Sequence, residues 1–78
     1  MIQGSKEGYI ERVTPVDLHG QKYFDIAYRT ADDPAATMHV ARLGDDAIYA
    51  APQPGDRIRL HFLMNLVMKV ERLATPSG

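Results

Sequence analysis

Between Pro54 and Leu73 the chain alternates polar and apolar residues on either side of a short break, the period-two signature of two β-strands joined by a tight turn. In the first of these strands Arg57, Arg59 and His61 fall on one side of the pleat and Ile58, Leu60, Phe62 and Met64 on the other. Pro54 and Gly55 ahead of it are turn punctuation, because Pro fixes φ and Gly reaches positive φ. Asn65 is the residue best suited to a left-handed conformation, which centres the expected turn on residues 64–66 and places the second strand over 66–73. There Leu66, Met68 and Val70 are expected to face inward and Lys69 and Glu71 outward, which leaves Val67 as an apolar residue facing out.

The upstream pattern is also strand-like. Residues 8–16, GYIERVTPV, predict a strand of about 6 residues that ends or reaches an edge near Pro15. Residues 17–20, DLHG, carry the Asp and Gly of a hairpin turn. Over residues 21–30 Phe24, Ile26 and Tyr28 share one face, and Tyr23, Asp25, Ala27 and Arg29 share the other. Residues 31–36, ADDPAA, predict a loop. Residues 37–43 predict a third strand with Met38 and Val40 on one face and Thr37, His39 and Ala41 on the opposite one. Residues 44–51, GDDAIYAA, predict one or two helical turns: Asp45 or Asp46 suits the N-cap, the alanines favour helix, and Pro52 limits extension. Ile48 would plug one end of a barrel.

Seventy-eight residues predict one domain, 8–73, with a loosely held lead-in at 1–7 and a disordered tail at 74–78. A chain of this size buries only roughly 60% of the surface its unfolded form exposes, so the core is small. Without cysteine there is no disulfide framework, no thiolate nucleophile and no cysteine-based zinc site. No apolar run approaches the ~20 residues of a membrane span. The first residues lack the basic-then-apolar layout of a secretory signal, and a cytoplasmic protein with no membrane partner is expected. The net charge of −1 is unevenly spread: residues 1–56 hold five basic and nine acidic side chains, residues 57–78 four basic and one acidic. One end of the sheet is therefore expected to be locally positive.

Three strands, a short helical insert and a tight hairpin introduced by PGDRIRL resemble the OB-fold (oligonucleotide/oligosaccharide-binding fold), a five-stranded Greek-key barrel; an SH3-like barrel is the alternative. The resemblance spans about residues 8–73 and rests on the order and placement of elements. It implies a ligand site on the face of strands two and three, framed by the loops between strands one and two and between strands four and five. On this chain that means Tyr23, Asp25, Arg29, Thr37 and His39, with His19, Lys22 and Asn65 from the loops.

Single-stranded nucleic acid needs flat rings for stacking and cations for phosphate. Lys22, Tyr23, Arg29 and His39 are of those types, and Arg57 and Arg59 add a basic row on strand four that could track a phosphate backbone. The same residues also suit an ordinary solvated sheet face, and Asp25 would repel phosphate unless Arg29 neutralised it. Asp45 and Asp46 read as helix caps, and His19, His39 and His61 lie on three different elements, so no metal and no cofactor are expected. No nucleophile and base stand in a catalytic relation and there is no phosphate-cradling loop, so no enzyme is expected. The expected function is weak binding of single-stranded DNA or RNA. The alternative is a protein-interaction or assembly module, including a homodimer. A continuous positive stripe would favour the first; mixed charge beside an apolar patch would favour the second.

Overall fold

In a computed structural model of the chain, residues 3–32 and 38–73 are described. They form five strands, β1 (Gln3–Leu18), β2 (Gln21–Thr30), β3 (His39–Gly44), β4 (Arg57–Leu63) and β5 (Leu66–Arg72). These make one antiparallel sheet in the order β3-β2-β1-β4-β5. The fourth strand returns beside the first, which is the Greek-key arrangement. The sheet is strongly curved, because residues from all five strands meet in one core: Ile10, Ile26, Tyr28, Leu43, Ile58, Leu60 and Val70 are buried together with Ile48 from the β3–β4 connection.

The expected β1 was too short. It begins at Gln3 because residues 3–9 pair with β4, while residues 8–18 pair with β2. Gly8 pairs with both neighbours, and a Cβ there would lie 2.2 Å from the Arg29 carbonyl oxygen, so only glycine permits this crossing. Beyond it Pro15 is tolerated, since this half of β1 pairs only with β2. A bulge at Glu11 shifts the alternation, which puts both Ile10 and Val13 against the core. Both hairpin turns are two residues long with positive φ at each centre, His19–Gly20 (53° and 81°) and Met64–Asn65 (51° and 74°), the geometry that matches strand twist. Met64 therefore belongs to the turn and is exposed, not inward as its place in the alternation of β4 had suggested.

Two strands depart from the expected faces, β3 throughout and β5 only over residues 66–68, since Val70 is inward and Lys69 and Glu71 outward as expected. On β3, His39, Ala41 and Leu43 lie across from Tyr28, Ile26 and Phe24, so they share the inner face, and Val40 is 63% exposed. Leu43 anchors this choice, being almost wholly buried. On β5 a bulge separates His61↔Lys69 from Phe62↔Val67, with Met68 as the extra residue. Val67 thereby packs against the core, while Leu66 and Met68 point outward.

The helical insert is absent. Residues 45–56 form turns and bends, and the Ala47 carbonyl accepts from the Val70 amide at 2.9 Å, so a backbone group that a helix would use internally is committed to β5. Ala51 takes φ 55°, ahead of a Pro52 that disfavours helical conformation in its predecessor. Ile48 does fill the end of the core, through an isolated parallel bridge to Val70. That bridge is where the two ends of the sheet approach, and β3 and β5 do not otherwise pair, so the sheet is open rather than a closed barrel. Most of the expected 31–36 loop, Thr37 and the 74–78 tail lie outside the described residues.

Candidate functional site

The outer face of the sheet carries most of the charge. Register places Arg29, Tyr9 and Arg57 in one row across β2, β1 and β4, with Glu7, Arg59 and Glu71 in the next. These cations have carboxylate partners. Arg29 Nε donates to Glu11 Oε1 at 3.1 Å, and Arg57 and Arg59 approach the two oxygens of Glu7 at 3.7 and 3.5 Å. Asp25 is held by Arg42, not Arg29: Nε and Nη2 donate to its two oxygens at 2.7 and 3.0 Å. This two-pronged bonding keeps the Asp25 carboxyl below its ordinary range and raises the guanidinium further. His61 contacts Glu71 and lowers that carboxyl in the same way. The face is therefore a mosaic of opposite charges rather than a positive stripe.

The six expected nucleic-acid contacts are not brought together. Lys22 is exposed at the β1–β2 hairpin, opposite Asp17, and Tyr23 is half-buried beside it. Arg29 lies six residues further along the same strand, about 20 Å away at the usual rise. Arg57 and Arg59 are on the outer face of β4, and His39 is on the inner side of the sheet. Among the loop residues His19 and Asn65 occupy turns at opposite hairpins. No group of three or more His, Asp or Glu side chains is gathered as a metal site among the described residues.

Two concavities stand out. A groove of about 650 Å³ runs along the outer face of β1, β4 and β5, lined by Gly4, Ser5, His61, Phe62, Leu63, Met68, Lys69 and Glu71. On the same hairpin Met64, Leu66 and Met68 are 67%, 66% and 52% exposed; Met68 lines this groove and Met64 the second concavity. The second, about 500 Å³, is a cleft at the end where β3 and the hairpin diverge. Its wall holds a Tyr28–His39 stack with ring centroids 5.4 Å apart and 27° between planes, and Phe62, Asn65 and the Lys6–Asp32 ion pair at 3.3 Å complete it. Burial pushes the Tyr28 hydroxyl pKa up, whereas bonds from the Thr30 hydroxyl and from Lys6 hold Asp32 low.

Sequence reasoning missed Arg42, the Tyr28–His39 stack, Lys6 and the outward Leu66 and Met68. One signal was available: a two-residue turn needs positive φ at both centres, which removes Met64 from the face of β4. Compared with known proteins, the chain matches no family model, no curated protein and no solved structure. Among the described residues no helix is long and apolar enough to cross a membrane.

Proposed function

We propose that this chain is a non-enzymatic protein-interaction module built on an open barrel of OB type. The return of β4 beside β1, and the parallel approach of Ile48 to Val70 where the sheet ends come closest, support the fold reading. The observation that carries the function is the exposure of three large apolar side chains on one hairpin, Met64, Leu66 and Met68, with Met68 on the wall of the outer groove. A soluble surface keeps large apolar side chains together at a cost unless a partner covers them. Charge further along the outer face supports a protein rather than a polyanion, since Arg29, Arg57 and Arg59 already face carboxylates that phosphate would have to displace. The partner surface is apolar at its centre with both signs of charge at its rim.

Photo-crosslinking residues placed one at a time at positions 23, 40, 66 and 68, in the cells that make the protein, test this. Adducts are expected at 66 and 68 and background at 23 and 40. Equal yields at all four positions, or none at any, remove the reading.

A second reading rests on the cleft. The exposed His39 ring, already stacked on Tyr28, offers a flat surface on which a base could continue the stack, with Lys6 and Asn65 within the same cleft. Under this reading short single-stranded DNA or RNA shifts the NMR signals of Lys6, Tyr28, His39 and Asn65 at roughly 50 mM salt and less at about 200 mM. Unmoved signals at both salt concentrations, or shifts confined to Tyr23, Arg29, Arg57 and Arg59, count against the cleft.

A further inference from the structure

We propose that the cleft between β3 and the β4–β5 hairpin is a binding site for a free, uncharged heterocyclic base, taken as a nucleobase or nucleoside; this rests on the cleft reading above, of which it keeps the stacking surface and not the strand. Register places the cleft on the inner side of the curled sheet. His39 lies across from Tyr28, Lys6 from the buried Leu60, and Gly4 from Phe62, which packs against the core, so these residues share the core-facing side. The mouth of a curled sheet is a favoured place for a small-molecule site, and about 500 Å³ lies within the range such sites span. Gly4 keeps the mouth open: it stands where the alternation of β1 presents a side chain to the core side, and a Cβ there would meet nothing within 4 Å.

The lining sets the chemistry. Tyr28, His39 and Phe62 put three rings in the wall, and the first two already stand as a stack, so a flat ring is the shape that extends it. Lys6 and Asp32 bring one charge of each sign and are paired at 3.3 Å, and the Asp32 carboxylate also accepts from the Thr30 hydroxyl. A phosphate would have to part Lys6 from Asp32 and then lie beside the carboxylate it displaced, which selects a ligand without charge. Asn65, at the lip, carries an amide with a donor and an acceptor side by side, the complement of the adjacent acceptor and donor on the edge of a pyrimidine or purine base.

NMR titration of the labelled chain with uridine and adenosine, with their monophosphates and with a short single strand, at roughly 50 mM and about 200 mM salt, tests this. A nucleoside is expected to shift Lys6, Tyr28, His39 and Asn65 saturably and equally at both salt concentrations, since an uncharged ligand releases no counterions, and its monophosphate is expected to bind more weakly. His39→Ala is expected to weaken the nucleoside about tenfold through the lost stacking surface. Asn65→Gly, which keeps a residue at ease with φ 74°, removes the amide and is also expected to weaken it. Gly4→Leu fills the mouth and is expected to abolish binding while giving the circular dichroism spectrum of the unaltered chain; if that variant does not fold, His39→Ala and Asn65→Gly decide. A nucleoside that moves nothing in the cleft, while the single strand moves the same signals and fades with salt, overturns this inference and leaves the strand reading standing. No shift with any probe overturns both. A monophosphate that binds more tightly than its nucleoside, or nucleoside binding undiminished in the folded variants, overturns the uncharged-base site.

Discussion

Asp56 organises a loop that has no regular structure of its own. Its carboxylate accepts from the Tyr49 hydroxyl at 2.7 Å and from the Gln53 amide at 3.0 Å, and Arg72 stands 3.9 Å away. Burial and this bond together raise the Tyr49 pKa. Asp56→Ala is expected to cost about 1–3 kcal/mol, because it strips partners from a half-buried hydroxyl and an amide; urea unfolding measures it. The Asp25–Arg42 pair makes a prediction in pH. Since Arg42 holds the native Asp25 carboxyl below its ordinary 3.8, the pair stabilises the fold above that value and loses its contribution as pH falls through the lower native value. Thermal melts from pH 6 downward are expected to show a shallower acid decline in Arg42→Ala than in the unaltered chain; parallel curves would contradict the assignment. Neither role could be read from the chain. Asp56 stands just ahead of the alternation that begins at Arg57, and nothing in the chain relates Arg42 to Asp25 until register puts them side by side.

The strands themselves were legible, because Ile58-Leu60-Phe62 and Phe24-Ile26-Tyr28 alternate without interruption. What alternation cannot reveal is where it skips. Glu11 and Met68 are each one extra residue, and each turns the remainder of its strand over. The face of β3 was misjudged for a related reason: Met38 and Val40 look more apolar than His39 and Ala41, yet Leu43 belongs to the second set and its burial decides the matter. Deleting Glu11 removes the bulge and swings Val13 away from the core or forces Ile10 out of it. A deletion variant is therefore expected to be unfolded at room temperature by circular dichroism, whereas Glu11→Ala, which keeps the residue count, is expected to fold. The insert between β3 and β4 was read as helix from its alanines, but the backbone bond from Val70 to Ala47 outweighs a propensity worth only tenths of a kcal/mol per residue.

At the scale of the molecule, the sheet curls far enough for Ile48 to meet Val70 and no further. Ile48→Ala is expected to cost about 2–4 kcal/mol through the cavity it leaves, and to speed hydrogen exchange at the Val70 amide, whose acceptor sits one residue away. The candidate site was only partly legible. Asn65 and His39 line the cleft, but Tyr23, Arg29, Arg57 and Arg59 are spread over the outer face and Lys22 lies at the β1–β2 hairpin, most of them opposite acids whose positions only the folded register reveals. The central claim is that β5 holds Val67 in the core and leaves Leu66 outside it, available to a partner. Urea unfolding of Leu66→Glu beside Val67→Glu tests it most directly. Leu66→Glu is expected to stay within about 0.5 kcal/mol of the unaltered chain, while Val67→Glu, which drives a charge towards the core, is expected to lose about 2 kcal/mol or more. A large loss at Leu66 with little at Val67 would mean that β5 presents the opposite face, and the proposed surface would not exist.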